Sequence, residues 1–514
     1  MKNFKNKREF AKKALIFFLA MLLILPTLAA CNCAGTQDDG DATHETTPDE
    51  TEATTPSTVI TTPTDDKPQE PDPYKLRVLA AKSDPSTGKG NYDIVYDEST
   101  PLITTEVKNA IKHRNEMLQA EMNVEIALTE AANVYDTAYV GLYMGRDQYD
   151  LILPTVYQAS LMAHDGYLIE AEYLSGIHEN RSYYDQRALQ RLKIKGKNYF
   201  FFSDITISDL DQTWVYYFNR AFINSYKLDD PYQLLIQHKW TLDWFLMLCQ
   251  CATLDLDGTP TMQDDWGIVG NEYVITSLYH GTGEVFATDT GEGNIKITLN
   301  TPRVLEFLKT VKNLSAGCWA RMQTGLSDYV SFPHPLGFTA DDDYDDILSA
   351  FANGSSLFMG EYLATGKKLV KLNSNIDLGI LPSPMLNEYQ QEYFTPISAD
   401  AACCAVPYTA EARAQDLSEI IERWAWISHN TVRLAYYEQV QNSQFSKQKT
   451  SEEVVDIIFD SVSHDIGSTM GWGNLETELT ALIWDGGTDL STMYDRCGIE
   501  AENALNKFME KFVG

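Results

Sequence analysis

The chain has 514 residues and a formal net charge of −33, with 73 acidic side chains against 40 Lys and Arg. So acidic a chain repels polyanions, which argues against nucleic acid or anionic lipid as its partner. Its length exceeds what one core supports and points to two domains or lobes.

In chain order, Lys2, Lys5, Lys7, Arg8, Lys12 and Lys13 precede the apolar run 14–25, which Pro26 and Thr27 close. This is the layout of a secretory signal over residues 1–30. The run falls short of the roughly 18 or more residues that span a bilayer. Leu28-Ala29-Ala30-Cys31 resembles the bacterial lipobox, which implies cleavage before Cys31 and a lipid on its sulfur. Residues 36–73 hold eleven Thr, six Pro, eleven acids and one base. Such a segment cannot bury enough apolar surface to offset its ordering entropy, and 31–73 is expected to be a lipidated cysteine with a disordered tether.

Residues 74–514 carry a formal −28. The stretch 75–80 reads as a strand, and 105–121 as a helix with Val107, Ile111 and Leu118 on one face. A strand at 123–128, a helix near 134–145 and a strand at 149–154 follow. Strands alternating with helices predict a parallel sheet of βαβ units. The middle of the chain departs from that rhythm: strands are predicted near 199–204 and 214–219. A helix is predicted at 240–250 with Thr241 as N-cap, and another at 301–314 with Pro302 just inside its start. The segments 354–362 and 378–384 read as strands, and helices at 411–428, 474–484 and 498–512 close the chain.

Six segments in this order carry a resemblance. They are "YDLILPTVYQASLMAHDGYLIEAEYL" (149–174), the 199–232 segment, "KWTLDWF" (239–245), "FANGSSLFMGEYL" (351–363), "LGILPSPMLNEYQQEYFTP" (378–396) and the 399–426 segment. Together, behind a lipobox, they resemble the extracellular solute-binding proteins of bacterial ABC transporters, family 1, the group containing the maltodextrin-binding proteins. The resemblance implies an α/β, two-lobed, periplasmic-binding-protein-like fold of type II, with three-layer α/β/α lobes joined by several hinge crossings. The crossings are expected near 203–212, 357–362 and 400–407. The N-terminal lobe would comprise 74–203 plus 361–402, and the C-terminal lobe 204–360 plus 403–514. The implied function is capture of a carbohydrate in the interlobe cleft and delivery to ABC-transporter permease subunits. The protein would act as a monomer, held on the outer face of the cell membrane by its lipid alone, with no catalysis and no cofactor.

A search for catalytic motifs supports that direction. The sequence has no G-x-S-x-G, H-E-x-x-H or P-loop pattern, and no G-x-G-x-x-G after a strand. Nine histidines are scattered without ligand spacing. The acidic run 341–346 lacks the Gly and closing Glu of an EF-hand loop and reads as a solvated charge run, so no metal site is expected. Cys249 and Cys251 have the wrong spacing for a redox or zinc pair, and Cys403 and Cys404 sit in an apolar stretch as small hydrophobes. Two carboxylates suffice for glycoside hydrolysis, so a surface glycan hydrolase remains an alternative, as does a ligand sensor for a signalling partner.

Aromatic residues offer flat platforms to the C–H face of a pyranose, and carboxylates read its hydroxyls. By the resemblance, Tyr362 (beside Glu361), Tyr273 (beside Glu272) and Trp472 are cleft aromatics. Thr155 occupies a strand-end cleft position, where it departs from the Trp of some relatives. Trp214 is added on its chemistry alone, and Asp209 and Asp211 are the acids placed to reach the cleft or to bond the hinge.

Overall fold

The computed structural model describes residues 72–83, 90–100, 103–254, 256, 264–271, 273–291, 293–316, 320–323, 344–441, 452–484 and 487–512. The expected signal, Cys31 and nearly all of the tether lie outside these residues, as do Glu272 and the first half of the 341–346 acidic run.

Strand β1 (Tyr74–Ala81) pairs in parallel with β2 (Val124–Ala131) and β3 (Leu151–Leu153), giving the order β2-β1-β3. Helices Thr105–Met122 and Val134–Tyr143 make the crossovers, as the alternation predicts. The first helix starts where the Thr104 hydroxyl accepts from Val107 N, and it buries Val107, Ile111 and Leu118. Beyond β3 the sheet continues through single bridges, Ile152 with Ala405, Thr155 with Ala402, and Phe201 with Cys404.

A second sheet holds β4 (Trp214–Asn219) and β5 (Trp266–Asn271). Next in the chain come β6 (Ala287–Asp289) and β7 (Ile295–Ile297), which form a separate antiparallel hairpin. The second sheet is completed by β8 (Ala320–Gln323), β9 (Ser356–Tyr362) and β10 (Leu378–Leu381), in the order β10-β4-β9-β5-β8. Every residue of β4 is buried, and the strand runs antiparallel to both β9 and β10. Short β11 (Thr395–Pro396) pairs in parallel with β12 (Val462–Ser463). The helix Leu242–Ala252 starts after Thr241 as expected, although that hydroxyl makes no capping bond.

This pairing corrects the expected lobe limits. Strand β10, expected with the first lobe, runs in register Leu378 to Asn219 through Leu381 to Tyr216 in the second sheet. Residues 402–405, expected to begin the return to the second lobe, bridge to the first sheet. The helix Ala414–Asn430 packs there too, against helix Thr105–Met122. The chain therefore leaves the first sheet at 204–213 and returns through 382–401, and no crossing occurs at 357–362. A strand pattern in sequence shows that a segment pairs, but not with which neighbour.

The outgoing crossing is held by buried polar groups. Asp93 accepts from Ile207 N (2.9 Å) and Thr206 Oγ1 (2.9 Å). Asp204 accepts from Arg433 Nη1 (2.8 Å) and meets His429 Nδ1 (2.5 Å). Asp209, in the same crossing, is half-buried, with one carboxylate oxygen closed off from solvent and lacking a donor. Burial lifts its pKa from 3.8 to about 8 against the pull of Arg433, with Asp204 and Asp185 adding to the rise. Between those two values the folded chain binds the proton that the unfolded chain has lost, so stability falls as pH rises through the window. The slope approaches about 1.4 kcal/mol per pH unit at most. Asp209→Asn is expected to raise Tm at about pH 8 and above, with the gain vanishing toward the acid end of the window. A calorimetric pH series giving parallel curves for the two proteins would contradict this account.

Candidate functional site

Three strands end at one place. The chain leaving β3 enters helix Val156–His164, that leaving β5 enters helix Tyr273–Gly281, and β9 ends in Tyr362. Val156, Tyr273 and Tyr362 line the same cavity of about 230 Å³. In open α/β sheets the crevice beyond the carboxyl ends of the strands is where ligands bind. Here one of those ends comes from the first sheet and two from the second.

The two tyrosines are positioned by Glu361. Its carboxylate accepts from Tyr362 N (2.9 Å), Thr365 Oγ1 (3.0 Å) and Asn271 Nδ2 (3.4 Å). Asn271 in turn accepts from Tyr273 N (2.9 Å), so one buried carboxylate links the ends of β5 and β9. Behind the pair sits Trp214, fully buried, meeting Tyr273 and Tyr362 edge-on at 4.8 and 5.1 Å. Gly360 permits that approach, since a Cβ there would lie 2.9 Å from the Trp214 ring. The tyrosine rings are 6.1 Å apart and tilted by 38°, two adjoining half-buried walls.

The opposite walls are polar. Segment 396–400 contributes Ser398 and Asp400, the residues after β12 contribute His464 and Asp465, helix Ile466–Met470 contributes Ser468 and Thr469, and Glu476 and His280 also line the cavity. Asp465 accepts from Phe286 N (2.6 Å) and Gly467 N (2.8 Å) and caps helix Ile466–Met470. Burial nonetheless lifts its pKa to about 6. His280, 3.9 Å from Asp465, is pushed down to about 4 by burial and is neutral at pH 7. His464 is held by Asp185 of the first-sheet helix region at 2.8 Å. Among the described residues, no three His, Cys, Asp or Glu side chains converge as a metal site would need.

Of the residues singled out in sequence, Tyr273 and Tyr362 line the cavity, and Glu361 and Trp214 support them from behind. Thr155 precedes the lining residue Val156 but does not itself line the cavity, and its hydroxyl accepts from Gln158 N in a capping box. Trp472 does not line the cavity. It is 5% exposed and packs on Phe508 at 5.7 Å. Asp209 lies half-buried in the crossing, and Asp211 pairs with Lys367 at 3.4 Å while Tyr92 and Tyr436 donate to its carboxylate. Sequence reasoning missed His280, Ser398, Asp400, Asp465 and Glu476. The only local signal for any of them is the Asp465-x-Gly467 turn before a short helix.

Two outcomes follow. Asp211→Asn leaves the Lys367 ammonium buried without its counter-charge and should cost roughly 3–5 kcal/mol, much of it restored by adding Lys367→Met. Denaturant midpoints measure this, and a silent single variant would refute the pairing. Trp472→Ala should destabilise by about 3–5 kcal/mol through the cavity it leaves. Titration of the folded variant should show unchanged ligand affinity.

No family model matches the chain, and no curated protein sequence does. Solved structures do. The maltose/maltodextrin-binding domain MalE from Bdellovibrio bacteriovorus, bound to maltotriose, has a TM-score of 0.50 at 12% identity, covering 84% of this chain and 100% of that one. A cyclo/maltodextrin-binding protein complexed with maltotetraose gives 0.51 at 13%, covering 86% and 98%. UspC of M. tuberculosis gives 0.52 at 13%, covering 84% and 100%. At such identities the likeness is one of fold, and the fold is the two-lobed α/β architecture of the type II periplasmic-binding proteins.

Proposed function

We propose that this chain is the substrate-capturing component of an ABC importer and that it holds a carbohydrate in the cavity at the strand ends. The observation that carries the reading is the pair of adjoining tyrosine walls, Tyr273 and Tyr362, sharing one cavity lining with carboxylates and hydroxyls. Aromatic faces suit the C–H face of a pyranose, and carboxylates accept from its hydroxyls. The solved structures named above add support, since two of them hold maltotriose and maltotetraose. A ligand there meets Val156 from the first sheet as well as Tyr273 and Tyr362 from the second. It gains most when those walls approach, and binding shifts the population toward the closed form. The permease would read that closed form. The reading assigns no reaction to the cavity. Cys31 would carry the lipid that anchors the protein outside the cell membrane, with the Thr- and Pro-rich stretch as its leash.

A thermal-shift screen against mono- and oligosaccharides, amino acids and peptides tests this. Ligand at 100 times its Kd adds about 2.7 kcal/mol to stability, a readable shift. Tyr362→Ala should weaken binding at least about tenfold, or 1.4 kcal/mol. A shift with peptides alone, or full affinity in the folded variant, would overturn the carbohydrate assignment.

A further inference from the structure

We propose that the cavity selects a solute whose recognised unit carries a protonated amine, with Glu476 as a specificity-determining carboxylate. The inference rests on the cavity being the ligand site. Its lining includes three carboxylates, Asp400, Asp465 and Glu476, and neither a lysine nor an arginine. Arg191 lies behind the wall, where its Nη1 donates to Ser463 Oγ (2.7 Å) and its plane covers the Phe394 ring at 5.2 Å. His280 adds no charge, being neutral at pH 7. An anionic solute would enter this field uncompensated.

The hydrogen-bond inventory points the same way. The Ser468 hydroxyl donates to Glu476, and the Thr469 hydroxyl donates to the Asp465 carbonyl (3.0 Å). His280 Nδ1 faces the Glu284 carbonyl (3.4 Å), which only accepts, so its proton sits there and Nε2 is left as an acceptor. Two of the lining hydroxyls are thus committed to acceptors of the protein, and the lining sets three carboxylates against no lysine or arginine. An ammonium brings three donors and a positive charge to these carboxylates, whereas a sugar hydroxyl brings one donor and no charge. Tyr273 and Tyr362 both border the cavity, and a cation bound within about 6 Å of either ring centroid is attracted to that ring's face.

The test is calorimetric titration with isosteric pairs: glucosamine against glucose, and the free-amine β1,4 glucosamine dimer against cellobiose. It is run at about pH 6.5, where an amine of α-amino type is protonated. The amino form should bind at least about tenfold tighter, the preference should shrink as salt rises, and Glu476→Gln should bring it near unity. Asp400→Asn, at an exposed position, provides a second charge removal should Glu476→Gln fail to fold. Equal or tighter binding of the neutral partners overturns the amine proposal and leaves the cavity as a carbohydrate site. Binding of neither partner by the folded protein overturns both.

Discussion

The structure turns on a buried ion pair where the chain passes from one sheet to the other. Asp211, at the end of the outgoing crossing, and Lys367, in the helix after β9, are 1% and 2% exposed and lie 3.4 Å apart. Taking two charges out of water costs several kcal/mol per ion, which their attraction offsets only when the remaining donors and acceptors are also matched. Here they are, because the hydroxyls of Tyr92 and Tyr436 reach the same carboxylate. Four segments distant in sequence therefore share one point, and removing either ion leaves the other stranded. The pair adds little net stability compared with an apolar contact. What it fixes is which segments meet at the crossing.

From that point the site follows by short steps. β9 must end beside the crossing because Leu363 N donates to Thr213 O (2.9 Å), and the Tyr217 hydroxyl donates to the Leu363 carbonyl (2.8 Å). Ending there, β9 presents Tyr362 to the cavity and turns Glu361 back to receive Asn271 and Thr365. Glu361 is thus a positioning residue, and its burial makes its bonds strong enough to set both tyrosine walls at once. Trp214 fills the space behind them as an apolar wedge.

Much of the fold was legible in the sequence because it rests on local periodicity. The strands β1 to β4 and the helices at 105–122 and 302–316 follow from alternation, from the apolar stripe of Val107, Ile111 and Leu118, and from Pro302 at a helix start. Partner choice was not legible. β10 returns antiparallel beside β4, and nothing in "LGIL" states that neighbour. Trp472 was misread for a related reason. The resemblance placed it in the cleft, but between Gly471 and Gly473, at φ of 61° and 65°, the ring packs inward on Phe508. A Cβ on Gly473 would lie 2.7 Å from Ala501 of the last long helix. Gly473 thus serves close packing, while Gly471, with open space where a Cβ would lie, serves the left-handed turn. The polar wall was invisible because Ser398, Asp465, Glu476 and His280 come from four segments that only the fold brings together.

The cavity sits on the crossings, and that bears on how closure would be driven. Thr213 of the outgoing crossing bridges Ile397 of the returning one, and Ser398 N donates to Gln212 O (3.0 Å). Ile397 and Ser398 are themselves part of the lining, and Ser398 is hydrogen-bonded to the Tyr362 hydroxyl. A ligand touching this segment acts directly on the strands about which the two sheets would swing, without an intervening relay. Moving such an equilibrium from 1:99 to 99:1 takes about 5.5 kcal/mol of differential affinity. A few aromatic and charge-assisted contacts made only in the closed form can supply that. On the proposed function, the differential part of the contact energy would come from a ligand spanning Val156 and the tyrosine pair, since a rotation at the crossings would change the distance between them.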